Sequence, residues 1–393
     1  MNVGVFLGEF KPDAGGNYAF LNSMVQSLEA LETGHTFFIF YIKGKPAPSD
    51  KVTYVPLIGG DQWLPQKVRM GLYLLKRMSY GGLKYAVKRY RIDMMWFPTH
   101  WFEPVDVPYI CTVLDLEHRV HPFFPEVSIG NTWKSRECLF SRMIQRAAYV
   151  ISGTDAGKRQ IIHFYRPDAE RVRVIPFPVP PFALEQKERG TDVTAQYGLD
   201  KPYLFYPAQF WPHKNHVVLL RALKLLRERH RLDMLAVFCG SDKGNLSYVK
   251  ETARELGLEE HVRYLGFVPT DELYDLYKRA FALAFVSTFG PDNLPPVEAF
   301  AVGCPVIAAN VAGAAEQLGD AALLIDPLSE EDVADAVRKL HEEPEIRQAL
   351  VRKGAGRAQR LAAHDYVRDI AALVDEFELY RRCWSRKETY VET

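Results

Sequence analysis

Two side chains in this sequence stand where they could hold an anion and a sugar diol. The first is Lys214, in "AQFWPHKNH", between the apolar run "YLFY" and the helical pattern "VVLLRALKLLRERH". A cation at a helix start is opposed by the helix dipole, so a bound anion accounts for it better than solvation alone. The second is Glu298, in "GPDNLPPVEAF", where Pro295 and Pro296 suit the opening of a helix. A carboxylate in a first helical turn can accept two hydrogen bonds from a vicinal diol such as a ribose. A plain helix-start glutamate is the alternative. Gln209 offers hydrogen bonds without charge, while His213 and His216 read as loop or packing residues.

Gly15 and Gly16 follow the first β-rich run, "VGVFLG". They either let the backbone approach a phosphate or make a tight turn. No Gly-x-Gly-x-x-Gly follows that run, which argues against a nicotinamide dehydrogenase. No Asp-x-Asp occurs in the chain, so a metal clamp of that design has no ligands, and neither metal nor other cofactor is expected. No pair of acids suggests glycoside hydrolysis.

The elements that must position these residues alternate between strand and helix. Strands are expected at "VGVFLG", "TFFIFYI", "MMWFP", "YICTVLDL", "YVISG" and "VRVIPF", then at "YLFYPA", "MLAVFCG", "VRYLGFV", "ALAFVST", "PVIAAN" and "AALLID". Such alternation implies parallel sheets with crossover helices, and ligands beyond the carboxyl ends of the strands. The proline- and charge-rich stretch 176–202 divides the two series. Val367, Ile370, Val374, Phe377 and Tyr380 form an apolar stripe on a last helix that needs a partner.

At 393 residues with 48% hydrophobic content, the chain is long enough for two cores. Lysine plus arginine equals aspartate plus glutamate at 49 each, so no global field favours nucleic acid, and any anion site is local. Cys111, Cys138, Cys239, Cys304 and Cys383 show no metal or disulfide spacing and fit reduced cytosolic thiols. The amino terminus lacks the pattern of a signal peptide, and no apolar run suits a spanning helix, so a soluble cytoplasmic protein is expected. Between Asp61 and Asp93 there are no acids, only lysines and arginines among apolar and aromatic residues. Residues 64–92 could therefore rest on anionic lipid at the inner face of a membrane, form a solvated face, or line an acceptor cleft.

The stretch "FVSTFGPDNLPPVEAFAVGCPVIAANVAGAAEQLG" resembles the donor-binding signature of the large retaining glycosyltransferase family 4, whose fold is GT-B. The resemblance implies two Rossmann-like doubly wound α/β domains facing across a cleft. Residues 1–180 would be the acceptor side, 181–365 the donor side, and 366–393 a helix returning to the first domain. Residue by residue, Glu298 matches the ribose-holding glutamate and Lys214 the lysine on the donor diphosphate. Gly266, Phe267 and Val268 match the base-side loop, and Gly15 and Gly16 the amino-terminal glycine turn. Gly290, Asn293 and Leu294 belong to the loop facing the transferred sugar.

The sequence departs from that signature in three places. The family's first glutamate, eight residues before the second, is Gly290 here, with Asp292 nearby as a substitute. The arginine that usually accompanies the lysine is Gln209. In "CTVLDLEHRVHPFFPE", Leu114 replaces an acceptor-facing histidine, which leaves Asp115, His118 and His121 as candidates, His118 foremost, with Glu117 and His100 fainter. The resemblance implies a metal-independent, retaining transfer of a hexose from a UDP- or GDP-sugar to a saccharide or lipid-linked saccharide. An inactive nucleotide-sugar-binding protein or an epimerase on the same fold is the alternative.

Overall fold

The computed structural model describes residues 1–10, 16–44, 49–57, 82–184 and 192–384. Among them, seven strands form one parallel sheet: β1 (Asn2–Glu9), β2 (Thr36–Lys43), β3 (Thr53–Pro56), β4 (Met94–Phe97), β5 (Tyr109–Thr112), β6 (Tyr149–Ser152) and β7 (Val172–Val174). Their spatial order is β3-β2-β1-β4-β5-β6-β7. β3 has no counterpart among the expected strands. Its "TYVP" is short, ends in proline and buries only Val55, so it lacks the apolar run that marks a central strand.

A second parallel sheet has the order β10-β9-β8-β11-β12-β13. Its strands are β8 (Tyr203–Pro207), β9 (Leu235–Cys239), β10 (Val262–Tyr264), β11 (Ala282–Phe285), β12 (Val306–Ala309) and β13 (Ala322–Ile325). All six coincide with expected runs. Both faces of a parallel sheet are covered by helices, so its strands read as unbroken apolar stretches, and β9, β11 and β12 are buried throughout. The chain is thus α/β, with two doubly wound units of the GT-B type.

Alternation along β1 sends Val3, Val5 and Leu7 to one face and Phe6 to the other. The first face is closed by the helix Ala363–Arg381, whose Tyr366, Val367, Ile370, Leu373 and Val374 join that cluster. Burial of each such aliphatic side chain contributes about 1.5–3 kcal/mol. Of the expected stripe, Tyr380 stays exposed. Beyond it, the buried Arg381 guanidinium donates from Nε to Asp93 Oδ1 at 3.0 Å, pinning the helix end to the residue that precedes β4.

Gly15 and most of the basic segment, 64–81, lie outside the described residues. The remainder of that segment includes the helix Gly82–Arg89, which buries Leu83, Ala86 and Val87, and its Lys84 lies 3.7 Å from Asp106. Among the described residues, no helix is long and apolar enough to cross a membrane.

Candidate functional site

In the second sheet β8 lies between β9 and β11, so the connections leaving the carboxyl ends of β8 and β11 diverge to opposite sides. Such a switch point opens a crevice. From β8 the chain passes through Gln209 and a 3-10 turn, Pro212–Lys214, into the helix His216–His230. Asn215, left-handed at φ 49°, makes the corner, and its Nδ2 donates to Pro327 O at 2.6 Å. From β11 the chain passes through Ser287 to Asn293 into the helix Leu294–Val302.

Lys214 therefore faces the β11 connection. Its Nζ is 3.4 Å from Ser287 Oγ and 5.2 Å from the centre of the Phe285 ring. Burial pulls the ammonium down to about 8, and the carboxylates of Asp115, Glu117 and Glu126 act against that fall. All three belong to the first-sheet unit.

Glu298 sits one residue further into its helix than expected, just past the first turn, because the helix already begins at Leu294. The carboxyl is buried, and Tyr277 donates its hydroxyl to Oε2 at 2.7 Å. Burial pushes Glu298 up to about 7, with the Tyr277 bond pulling it back. Its charge also adds to the upward push that burial exerts on Cys239, the last residue of β9. Gly240 follows and donates to Gly266 O at 2.7 Å, which joins the β9 end to the expected base-side loop. Gly266 is left-handed at φ 67°, and Phe267 is 73% exposed. Val268 is buried in the second core, so its side chain serves packing and only its backbone can face a ligand.

The first-sheet unit reaches across to the same loops with two glutamates. Glu117 Oε1 accepts from Gly290 N at 2.9 Å, and its Oε2 meets His121 Nδ1 at 2.5 Å. Burial pushes the Glu117 carboxyl up, with the His121 bond opposing and Asp115 adding to the rise. Glu126 Oε1 accepts from His213 N at 3.0 Å and meets His213 Nδ1 at 2.5 Å. Burial pushes Glu126 up too, yet the His213 bonds outweigh it and hold the carboxyl below its ordinary range. Both imidazoles lie parallel to Phe289: His213 at 3.9 Å and 6°, His121 at 5.5 Å and 10°. Nearby, Glu316 accepts from Asp155 N at 2.5 Å and Ala156 N at 3.2 Å, at the start of the helix Asp155–Tyr165.

His118 does not face this cleft, contrary to expectation. It is wholly buried behind it, stacked on Phe140 and bonded from Nε2 to Glu137 at 3.3 Å and Tyr165 at 3.2 Å. Burial lowers it to about 4, so it is a neutral packing residue. As the second residue of the short helical turn Glu117–Val120 it points inward, while Glu117 and His121, four apart, meet on the other side. Asp115 stays partly exposed, paired with Arg136 and accepting from Glu117 N at 3.0 Å.

The carboxylate that accepts from the Gly290 amide is Glu117, not Asp292. Asp292 accepts from Gln317 Nε2 at 3.1 Å, packs against Gly153, and is pushed up to about 7 by burial and then by Glu316. Asn293 N donates to Gln317 Oε1 at 3.2 Å, and its Nδ2 to Phe289 O at 2.9 Å. Leu294 is partly buried against both cores. Gln209 is exposed and accepts from Trp211 Nε1 at 3.0 Å. Gly16 is the first residue of the helix Gly16–Ala30.

Sequence reasoning passed over Glu126 and Tyr277 and underrated Glu117. The i,i+4 spacing of Glu117 and His121 was a usable signal. Glu126 and Tyr277 depend on contacts 87 and 21 residues away, which no local pattern displays.

Comparison with known proteins agrees with this geometry. Residues 194–357 match the family described as glycosyl transferases group 1. A D-inositol 3-phosphate glycosyltransferase of Corynebacterium kroppenstedtii is 25% identical over 257 residues, 62% of this chain and 56% of its own. An O-antigen chain mannosyltransferase of Salmonella typhimurium is 25% identical over 229 residues, 58% of this chain and 60% of its own. The chain thus spans somewhat over half the length of these curated relatives. Among solved structures, sucrose-phosphate synthase from Thermosynechococcus elongatus superposes with a TM-score of 0.74 at 18% identity, covering 97% of this chain and 100% of that one. The chain accordingly has the GT-B fold, and residues 194–357 are similar to the glycosyl transferases group 1.

Proposed function

We propose that the protein is a glycosyltransferase that moves a hexose from a nucleoside diphosphate sugar to a saccharide or lipid-linked saccharide. The observation that carries the reading is Lys214 at the β8/β11 switch point, a partly buried cation beside Ser287 with the Glu298 carboxyl on the adjoining helix. Lys214 would hold the diphosphate, Glu298 the ribose hydroxyls, and the loop around Gly266 the base. The names of its relatives, which include a D-inositol 3-phosphate glycosyltransferase and an O-antigen chain mannosyltransferase, support a polyhydroxylated acceptor of the saccharide type.

In the transfer, the bond between the anomeric carbon and the β-phosphate oxygen breaks, and an acceptor hydroxyl oxygen bonds to that carbon. The acceptor proton passes to the departing diphosphate. Same-face attack would retain the anomeric configuration. Charge that develops on the leaving diphosphate is met by Lys214 and by backbone amides near the helix starts, in a site screened from water, where such groups act most strongly. This design needs no metal, because the lysine supplies the positive charge. Contact of residues 64–92 with anionic lipid is an accompanying proposal, supported by the run of basic residues and tested by vesicle co-sedimentation.

Incubation with labelled UDP- and GDP-sugars, followed by product analysis, tests the reading. Transferred sugar, or free sugar without an acceptor, supports it. Tight donor binding without turnover favours the nucleotide-sugar-binding alternative, and sugar inversion while still attached to the nucleotide favours the epimerase.

A further inference from the structure

The second sheet carries a pocket of about 350 Å³ at the edge away from Lys214. Ala280 and Pro305, in its wall, stand just before β11 and β12, so it opens at the amino ends of those strands. Gly303, Pro305 and Val351 give it apolar surface. Lys278, Arg347 and Arg352 line it with three cations, and no acid lines it.

Those cations are uncommitted. Lys353, on the same helix as two of them, is paired with Asp320, and nearby Arg338 with Asp335 and Glu342. Among the described residues, no carboxylate pairs with Lys278, Arg347 or Arg352. Lys278 is in the last turn of the helix Thr270–Arg279, where the dipole favours a cation. Arg347 stands near the start of the helix Pro344–Ala358, where the dipole opposes one. Its guanidinium is held over the Phe281 ring at 4.8 Å. Val351 lies one turn on from Arg347, and Arg352 one turn on from Gln348, so all four line one side of that helix.

Two guanidinium forks and an ammonium suit a phosphate better than a carboxylate. A phosphate monoester carries nearly two charges at neutral pH and offers three acceptor oxygens, enough for all three side chains. The apolar surface then receives the small organic group of the ester.

We infer that this pocket binds a phosphate monoester through Lys278, Arg347 and Arg352, at a site separate from the donor cleft. The inference goes beyond the donor reading and does not depend on it. A bound phosphate would brace the helices behind the Tyr277–Glu298 bond. Lys278 follows Tyr277, and Gly303 ends the helix that carries Glu298. The arginine-bearing helix packs on that one so closely that a Cβ on Gly354 would meet the Phe300 ring.

Glycerol 3-phosphate is the soluble probe, titrated calorimetrically into the full chain at fixed ionic strength, with glycerol as its uncharged control. The phosphate should bind and raise the unfolding midpoint, and glycerol should do neither. Lys278→Gln combined with Arg352→Gln, both at exposed positions, should weaken binding ~10-fold or more and leave the midpoint of the ligand-free protein in place. Arg347→Gln should weaken it by a similar factor. Lys214→Ala should leave the affinity within about twofold, because the donor cleft is elsewhere. Vesicles of phosphatidylcholine with and without phosphatidic acid test whether the ester is a lipid headgroup. Co-sedimentation that depends on phosphatidic acid and is lost in the double variant supports the pocket with that source; loss of glycerol 3-phosphate binding supports it with a free one. If the variants bind neither probe more weakly than the unaltered protein does, the inference is overturned. A phosphate lost with Lys214→Ala but kept by the double variant sits in the donor cleft and overturns it as well. No readout uses UDP or GDP, so failure of the donor reading is registered separately.

Discussion

Glu117 Oε1 accepts a hydrogen bond from the backbone N–H of Gly290, 173 residues along the chain and in the other unit, at 2.9 Å. That bond, with the Glu126–His213 pair, brings the first-sheet unit onto the two loops that flank Lys214. The cleft is therefore assembled by both halves of the chain, and its chemistry can be tested residue by residue.

Lys214→Ala should slow sugar transfer by about 10²-fold or more at saturating donor, because it removes the charge that meets the leaving diphosphate. The free ammonium, pulled down to about 8 by burial, loses its proton above that pH. Diphosphate affinity in the unaltered protein should then weaken as pH rises past 8, and the slope should vanish in the alanine variant. Steady-state kinetics and titration calorimetry read both effects.

Gly290→Ala is a small change with a large expected cost. Its methyl group would meet the Ala312 carbonyl, a backbone atom that cannot swing aside. Overpacking of this kind costs about 1–3 kcal/mol, and the shift of the loop should also weaken donor binding. Thermal unfolding alongside donor titration would register both losses; a variant unchanged in each would show that the loop has room.

Much of this arrangement was legible in the sequence, and the remainder was hidden for physical reasons. The six strands of the second sheet stood out because buried parallel strands are uniformly apolar, whereas β3 was invisible with a single buried side chain. Lys214 stood out as a cation beside a helix start, and the structure sets it on the 3-10 turn just before that helix. His118 misled because a histidine beside an acidic motif looks the same in sequence whether it faces a cleft or Phe140. Glu117 could be ranked properly only once Gly290 was beside it.

Asp292 gives a stability test with a definite sign. Burial, then Glu316, raises its carboxyl from 3.8 to about 7, so the folded protein keeps a proton that the unfolded chain releases near pH 4. The favourable contribution is present below that lower value and is lost as pH rises through about 7. Glu298, raised to about 7 mainly by burial, acts in the same sense. Asp292→Asn should therefore gain on the order of 2 kcal/mol over the unaltered protein at pH 8, and little near pH 4. Denaturant unfolding at the two pH values measures the gap, and a gap of equal size at both would contradict the account.

Arg381→Met should destabilise the protein by about 3–5 kcal/mol, since it removes the cation paired with the buried Asp93 carboxylate, whose other oxygen accepts from the neutral Asn2 N–H at 2.8 Å. The loss should appear as a lower unfolding midpoint and faster amide exchange at the end of the helix Ala363–Arg381. Replacing the exposed pair Arg338–Glu342 in the same way should cost under about 1 kcal/mol.

A crystal structure with bound UDP or GDP bears most directly on the whole account. Diphosphate oxygens should lie within hydrogen-bond distance of Lys214 Nζ, and the ribose hydroxyls should bond to the Glu298 carboxylate in the same cleft. A nucleotide seated elsewhere, or one that touches neither side chain, would contradict it.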